Sequence, residues 1–282
     1  MQDNPKLAIC QMQISANIEE NLPKAEALVQ QAVHQGAEIV VLPEMFHIPY
    51  SPKLMQEYAE AVPGQITQTL SKIAKDNNII LIGGSMAESA EGKIYNTCTF
   101  FGPNGALWGK YRKIHLFDIN IPGKVVFQES SVLGSGQEIW VKKTPLVDFS
   151  VMICYDARFP ELFKIMTRCG VQLIIIPASF SVPTGSDHWE LTMRARAVDH
   201  QVFIAAASSA RNPENTFQPY GHSMIVDPWG NILAEAGIDE EIIMAELNLP
   251  RLEEIRGELP LLKHERHDLY TVQAEELKIY VV

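Results

Sequence analysis

The segment Leu173-Ile174-Ile175-Ile176 is apolar at every position, and Ile79-Ile80-Leu81-Ile82 repeats this composition earlier in the chain. A strand that is apolar on both faces is typical of a sheet that is covered on both sides. Helical patterns precede both segments, at Pro160 to Arg168 and at Gln65 to Lys75. Gly170 follows the first of these patterns, as expected just past the C-terminal end of a helix. Buried strands that alternate with helices predict a layered α/β protein.

The same alternation extends over most of the chain, and it predicts nine strands and four helices. The predicted strands are Leu7–Gln13, Glu38–Leu42, Ile79–Gly83, Thr97–Gly102, Val147–Cys154, Gln172–Pro177, Val202–Ala207, His222–Asp227 and Ile242–Leu247, and the predicted helices are Ile18–His34, Gln65–Lys75, Pro160–Arg168 and Asp187–Val198. The segment Asn212 to Pro219 is predicted to be an exposed loop. We expect one domain over residues 1–282, with residues 271–282 as a C-terminal arm.

Composition and charge exclude several classes of protein. The 282 residues are 46% hydrophobic and 20% charged, which is typical of a globular protein. A net charge of −11 argues against a nucleic-acid partner, because phosphate binding needs clustered Lys and Arg. No apolar run reaches the ~18 residues of a membrane helix, and the N-terminus lacks the pattern of a secretory signal. We therefore expect a cytoplasmic protein with no membrane partner.

The cysteines are widely spaced and form no Cys-x-x-Cys pair; they are Cys10, Cys98, Cys154 and Cys169. The histidines have no zinc-ligand spacing either, so the sequence predicts neither a disulfide framework nor a metal site.

Cys154 closes the predicted strand Val147–Cys154, and polar residues and then a helix follow it at once. A thiol at the end of a buried strand and before a helix is in a position where it can act as a nucleophile, because a helix N-terminus lowers a thiol pKa. The alternative is that Cys154 is a small buried hydrophobic residue.

Glu44 and Lys113 are candidate partners of this thiol. Glu44 follows the predicted strand Glu38–Leu42, either as a solvated loop carboxylate or as an acid that points inward. Lys113 lies in the basic segment Lys110 to His115, for which a solvated edge is the alternative. A Cys nucleophile that attacks an amide needs a base, a donor to the oxyanion and a proton for the leaving nitrogen. Cys, Glu and Lys together meet these needs.

Three segments resemble, in order and spacing, the catalytic motifs of the nitrilase superfamily of carbon–nitrogen hydrolases; they are Leu42–Glu44, Tyr111–Leu116 and Ile153–Glu161. The resemblance runs from about Leu7 to Tyr270. It implies a four-layer α-β-β-α sandwich, an amidase that needs no cofactor, a small-molecule amide substrate, and homodimers or larger oligomers built through the helices. The strand and helix pattern alone leaves a doubly wound single sheet open.

By this resemblance the chain has a Glu-Lys-Cys triad. Glu44 is then the general base, Lys113 stabilises the oxyanion, and Cys154 forms a thioester acyl-enzyme. The backbone N–H of Tyr155 is a second oxyanion donor. Glu129 matches an additional glutamate that many members place beside the triad, and the alternative is a loop carboxylate or a structural ion pair.

Several segments are similar to one branch, the omega-amidases, which hydrolyse the terminal amide of alpha-ketoglutaramate and alpha-ketosuccinamate to the 2-oxo acid and ammonia. These segments are Pro49–Tyr50, Leu116–Ile119, Ile121–Lys124 and Phe127–Ser130. Other segments are shared with the deaminated-glutathione amidases or favour them: Phe159–Glu161, Val182–Gly185 and Tyr220–Met224. The residues from 116 to 130 lie between two catalytic residues and favour the first branch. A third reading, a non-catalytic ligand-binding or scaffold protein, predicts loss of a triad residue, and all three are present.

A substrate with an α-carboxylate needs a cation besides Lys113. Arg158 follows the nucleophile by four residues, and a guanidinium binds a carboxylate through two parallel hydrogen bonds. Alternatively, Arg158 forms a structural ion pair with Asp156, Glu161 or another buried acid. Tyr50 and Phe180 are predicted to line the pocket, with simple packing as their alternative.

Overall fold

The computed structural model describes residues 4–122, 125–275 and 277–281. In chain order the strands are β1 (Lys6–Gln11), β2 (Ile39–Val41), β3 (Ile80–Ile82), β4 (Met86–Ala90), β5 (Lys93–Phe101), β6 (Leu107–Arg112), β7 (Asp118–Ile121), β8 (Val125–Gln128), β9 (Ile139–Lys143), β10 (Phe149–Val151), β11 (Leu173–Ala178), β12 (Phe203–Ser208), β13 (Met224–Val226), β14 (Ile232–Glu235), β15 (Glu241–Glu246) and β16 (Leu277–Val281). The helices are α1 (Asn21–His34), α2 (Pro52–Glu57), α3 (Gln65–Asn77), α4 (Pro160–Arg168), α5 (Val182–His200) and α6 (Leu249–Glu258).

Most of these strands form two seven-stranded sheets. The first has the order β15-β1-β2-β3-β5-β4, and β6 also pairs with β5. The second has the order β14-β13-β12-β11-β10-β9-β16. Each sheet has a parallel centre, β1-β2-β3 in one and β10-β11-β12 in the other. A separate hairpin of β7 and β8 lies between Lys113 and Glu129 in the sequence.

The two sheets face each other, and helices cover their outer sides. Along β1, Leu7 and Ile9 belong to the core that contains Phe149 and Ile175 of the second sheet. The intervening Ala8 packs instead in a second core with residues of α1 and α3. Side chains alternate between the faces of a strand, so β1 is buried on both sides. Helices α4 and α5 pack against the second sheet. The fold is therefore the α-β-β-α sandwich, and the single doubly wound sheet is wrong.

All nine predicted strands and all four predicted helices are present, with shifted ends. The predicted strand Val147–Cys154 is wrong at its C-terminus, because β10 ends at Val151 and Cys154 begins a 3-10 turn. The predicted helix Asp187–Val198 starts five residues too late, since α5 begins at Val182 and accommodates Pro183 in its first turn. Ile18 to Glu20 form a separate 3-10 turn before α1.

The C-terminal segment lies along the second sheet. β16 pairs in parallel with β9, with Leu277 opposite Ile139. Before it, Glu265 forms ion pairs with Lys164 and Arg168 of α4. Within the predicted arm, residues 276 and 282 lie outside the described residues, as do Gly123 and Lys124 of the motif Ile121–Lys124. In the described part of the chain, no helix has the length and apolar character needed to cross a membrane.

Candidate active site

The three residues of the predicted triad each follow the end of a strand. Glu44 lies three residues after β2, Lys113 comes directly after β6, and Cys154 lies three residues after β10. All three side chains are buried, with Cys154 only 4% exposed. Lys113 Nζ is 3.1 Å from Glu44 Oε1. The structure thus brings residues from both sheets to one buried point.

Glu129 also contacts Lys113. Its Oε2 lies 2.9 Å from Lys113 Nζ and accepts a hydrogen bond of 2.6 Å from the backbone N–H of Phe117. Its Oε1 accepts a hydrogen bond of 2.5 Å from the Tyr50 hydroxyl. Glu129 is 1% exposed, so it is not a solvated loop carboxylate. The ammonium of Lys113 is held between two carboxylates.

The two oxygens of Glu44 have different surroundings. Oε1 accepts hydrogen bonds from Lys113 Nζ and, at 2.8 Å, from Asn96 Nδ2. Oε2 is buried and accepts no hydrogen bond of good geometry from the described residues. The Cys154 thiol lies within interaction distance of this carboxyl and lowers its pKa. Glu44 therefore has one oxygen that no donor of the described residues occupies.

Burial and neighbouring charges shift the pKa values of all three groups. Burial raises the pKa of Glu44, and the negative charge of Glu129 raises it further, against the opposing effect of Lys113. Burial and the Glu44 carboxylate raise the pKa of the Cys154 thiol well above its usual value. Burial alone would lower the pKa of Lys113, but Glu129 and Glu44 reverse this and hold it above its usual value. The resting site therefore has a neutral thiol, a cationic lysine and a carboxyl with raised proton affinity.

The backbone at Cys154 is strained and firmly braced. Cys154 has φ +49°, in the left-handed region that side chains other than glycine rarely adopt. Asp156 holds the turn by accepting hydrogen bonds from the Ile153 N–H at 3.1 Å and from the Tyr111 hydroxyl at 2.7 Å. From α5, the Arg196 guanidinium donates to the carbonyl of Ala157 at 3.0 Å. These contacts fix the direction of the thiol.

The turn that carries Glu44 rests on the segment Gly83-Gly84-Ser85. Ser85 Oγ accepts a hydrogen bond from the Met45 N–H at 3.0 Å, and the Ser85 N–H donates to the Pro43 carbonyl at 3.2 Å. Gly84 has φ +58°, and a Cβ there would lie 2.1 Å from the Pro43 carbonyl oxygen. Only glycine allows this close approach.

The residues predicted to bind substrate lie around this centre. Arg158 ends the turn that Cys154 begins, and its guanidinium lies 4.9 Å from the centre of the Phe180 ring. Its Nη1 is 3.2 Å from His188 Nδ1, and no ion pair joins it to a carboxylate of the described residues. The alternative pairs with Asp156 and Glu161 are therefore absent from the described part of the chain.

The two other predicted pocket residues and Tyr155 pack among aromatic rings. The Tyr50 ring lies 5.0 Å from that of Phe217, and the Phe180 ring lies 5.0 Å from that of Trp189. The Tyr155 ring packs between Phe117 and Phe159. Its backbone N–H is at the start of a 3-10 turn, where N–H groups have no partner within the helix. Their contacts with substrate stay predictions.

A small cavity lies beside Glu44 and Tyr50, and the segment Asn212 to Pro219 forms one of its walls. This cavity measures about 20 Å³, which is enough for one water molecule. The segment is a loop, as predicted, but it is exposed only in part: Pro213, Glu214 and Thr216 are exposed, and its other residues are buried or half-buried. Asn212 is buried and donates to the Ile14 carbonyl at 2.8 Å, and Phe217 packs on Tyr50. Among the described residues, no group of three metal-ligating side chains lies close enough to hold a metal ion.

Comparisons with known proteins agree with this site. Residues 6–257 match the family model of the carbon-nitrogen hydrolases. The chain belongs to this family. Omega-amidase NIT2 of Mus musculus is 48% identical, over 96% of this chain and 98% of that protein, and the Homo sapiens omega-amidase NIT2 is 47% identical over the same shares. The resemblance to the nitrilase superfamily and to its omega-amidase branch is thus confirmed, and the protein is an amidase.

Solved structures of carbon-nitrogen hydrolases have the same fold. Nit3 of Saccharomyces cerevisiae, a member of branch 10 of the nitrilase superfamily, is 38% identical with a TM-score of 0.86, covering 94% of this chain and 97% of that one. The NitFhit protein of C. elegans is 32% identical with a TM-score of 0.88, covering 98% of this chain and 68% of that one. The four-layer sandwich is the fold of this family.

The sequence did not reveal four residues that support the site. Asn96 contacts Glu44, Ser85 holds the Glu44 turn, and Asp156 and Arg196 hold the Cys154 turn. Asp156 appeared only as an alternative partner of Arg158. Asn96 directly precedes the predicted strand Thr97–Gly102, so a polar residue beside an apolar run was its one available signal.

Proposed function

We propose that this enzyme is an omega-amidase that hydrolyses the terminal amide of a short 2-oxo acid amide, alpha-ketoglutaramate or alpha-ketosuccinamate. The observation that carries the proposal is the Arg158 guanidinium, which shares a turn with Cys154 and has no carboxylate partner among the described residues. A cation on the nucleophile's own turn fits a substrate with an amide at one end and a carboxylate at the other. The names of the mouse and human relatives support the same activity.

In the first half-reaction Glu44 Oε2 takes the proton of the Cys154 thiol, and the sulfur attacks the amide carbon. The C–S bond forms, and the carbonyl oxygen becomes an oxyanion. The Lys113 ammonium and the Tyr155 N–H stabilise this charge, because preorganised donors in a site without water act strongly. Glu44 returns the proton to the nitrogen, and the C–N bond breaks. Ammonia departs, and the acyl group remains bound to Cys154 as a thioester.

In the second half-reaction water replaces ammonia beside Glu44. Glu44 takes one proton of the water, and the oxygen attacks the thioester carbon. Lys113 stabilises the second oxyanion, the C–S bond breaks, and the proton returns to the Cys154 sulfur. The 2-oxo acid leaves, and the site regains its neutral thiol.

The proposal is tested by ammonia release from alpha-ketoglutaramate and from deaminated glutathione, measured side by side. We expect faster release from alpha-ketoglutaramate and no release by Cys154→Ala. Arg158→Met should lower kcat/KM for alpha-ketoglutaramate about 10- to 100-fold, mainly through KM, because a charged hydrogen bond to the carboxylate is lost. Arg251→Met, on the surface of α6, is the matched control and should behave like the wild type.

Other outcomes redirect or overturn the proposal. Preference for deaminated glutathione would make the enzyme a deaminated-glutathione amidase. Release by the Cys154→Ala variant would overturn the thioester mechanism. An unchanged KM in Arg158→Met would remove Arg158 from carboxylate binding.

A further inference from the structure

Asn96 contacts both the base and the lysine of the site. It lies in β5, its side chain is fully buried, and its Nδ2 donates to Glu44 Oε1 at 2.8 Å. Its backbone carbonyl accepts a hydrogen bond of 2.8 Å from the Lys113 N–H. One residue thus joins the turn of Glu44 to the end of β6. Among the described residues, the Asn96 side chain hydrogen-bonds to the Glu44 carboxyl alone.

The hydrogen bond from Asn96 distinguishes the two oxygens of the Glu44 carboxyl. Asn96 and Lys113 both donate to Oε1, and Oε2 accepts no well-formed hydrogen bond from the described residues. Loss of the Asn96 donor would leave Lys113 as the main donor and allow the carboxyl to rotate. A carboxyl that rotates presents its free oxygen to the Cys154 thiol for only part of the time.

The other end of the Asn96 amide argues against a purely structural role. Its Oδ1 is buried and has no hydrogen-bond partner among the described residues. A buried acceptor without a partner destabilises the folded protein, and an apolar side chain of the same size would avoid this penalty. Rotation of the amide would place Oδ1 against Glu44 Oε1, so the observed orientation is the one that hydrogen bonding allows.

We propose that Asn96 is a positioning residue that orients Glu44 Oε2 towards Cys154 and favours the ionised form of Glu44. This inference rests on the proposed role of Glu44 as the base. The other groups that face the Glu44 carboxyl are Lys113, Glu129, Tyr50 and Cys154. A donor to the ionised form lowers a carboxyl pKa, and its removal raises the pKa.

The experiment follows alkylation of Cys154 by iodoacetamide as a function of pH, in the full-length wild type and in Asn96→Leu. The sulfur displaces iodide and its proton passes to Glu44, so the rate rises as Glu44 becomes ionised. The Cys154 peptide is followed by mass spectrometry, because Cys169 is partly exposed. Thr99→Val is the matched control, since Thr99 is buried on the same strand and its hydroxyl also has no partner among the described residues.

We expect Cys154 of the Asn96→Leu variant to be alkylated about 10- to 100-fold more slowly near neutral pH. The pH at which the alkylation rate rises should be higher by about one unit. Ammonia release should show the same loss in kcat with KM unchanged, and Tm should stay equal or rise. Thr99→Val should match the wild type in both rate and pH profile. An undisplaced pH profile in Asn96→Leu, or a rate loss that accompanies a loss of Tm, would overturn the proposal. Alkylation does not require the enzyme's own amide substrate. If the proposed substrate is wrong, the wild type will release no ammonia from it, and the alkylation result will be unaffected.

Discussion

Glu129 contributes a negative charge to the site rather than a free acid group. It accepts hydrogen bonds from Lys113, from Tyr50 and from the Phe117 N–H. Burial raises the pKa of Glu44 most, and the charge of Glu129 raises it further. Removal of that charge alone, in Glu129→Gln, should therefore lower the pKa of Glu44.

We expect Glu129→Gln to move the acid limb of the kcat/KM profile to lower pH, opposite to the displacement in Asn96→Leu. The reaction itself should slow about 10- to 1000-fold, because Lys113 and Tyr50 lose a charged acceptor. A pH profile of ammonia release measures both effects, with Glu91→Gln, an exposed neighbour of Arg112, as the control. An acid limb that moves upward would contradict this account of Glu129.

At the scale of single residues, the sequence predicted the residues whose chemistry is distinctive and missed those that act through geometry. Cys154, Glu44 and Lys113 were singled out because a thiol, a carboxylate and an ammonium together meet the needs of attack on an amide, and because their segments match the motifs of the nitrilase superfamily. Asn96 could not be recognised, because its partner Glu44 lies 52 residues away in the sequence and meets it only across the first sheet. The role of Gly84 depends in the same way on a close approach to Pro43.

The loop Asn212 to Pro219 sets the size of the cavity beside Glu44. Its side chains brace it, since Asn212 and Asn215 both donate to the Ile14 carbonyl at 2.8 Å. Phe217 is thereby held against Tyr50, and both residues line the small cavity. We expect a rigid aromatic wall at this place to limit how large a substrate can be.

We expect Phe217→Ala to raise the ratio of kcat/KM for deaminated glutathione to that for alpha-ketoglutaramate by about 10-fold, since pocket size alone discriminates by 1–3 kcal/mol. Ammonia release from the two amides measures the ratio. Leu233→Ala, a truncation on the exposed edge strand β14, should leave it unchanged. A fall in both rates with an unchanged ratio would show that Phe217 supports the site without limiting its size.

Among the secondary-structure elements, buried strands could be predicted and strands with polar residues could not. β11 and β12 are buried throughout, and their apolar runs were recognised. The missed strands are β4, β6, β7, β8, β9, β14 and β16, and the missed helices are α2 and α6. Strands such as β6, with the sequence Leu-Trp-Gly-Lys-Tyr-Arg, mix polar and apolar residues without a long apolar run. Only pairing with a neighbouring strand defines them.

The four-layer arrangement belongs to the whole molecule and could not be derived from periodicity. A strand buried on both faces is expected in a single sheet between helices and equally in two sheets packed together. Only the resemblance to the nitrilase superfamily distinguished the two. The core that Leu7 and Ile9 share with Phe149 of the other sheet is what separates them in three dimensions.

The outer face of α5 is where we expect two copies of the chain to associate. Leu191 is 69% exposed, Val198 is 38% exposed, and the neighbouring Trp229 is 52% exposed. These three residues line one groove, which also contains Arg194 and its ion-pair partner Glu190. An apolar patch with a polar rim marks an association surface, and a two-fold dimer uses the same patch on both subunits. This extends the expectation of a homodimer to a defined surface.

Leu191→Glu should convert a dimer into a monomer, because two-fold symmetry brings the added negative charge into the interface twice, and the nearby Arg194 is already paired with Glu190. Light scattering coupled to size-exclusion chromatography measures the mass directly, and we expect twice the mass of the chain for the wild type. Leu269→Glu adds the same charge at a site that is 70% exposed and remote in sequence, and it should remain dimeric. A wild type that is monomeric at micromolar concentration would contradict the dimer, and a Leu191→Glu variant that stays dimeric would exclude α5 as its interface.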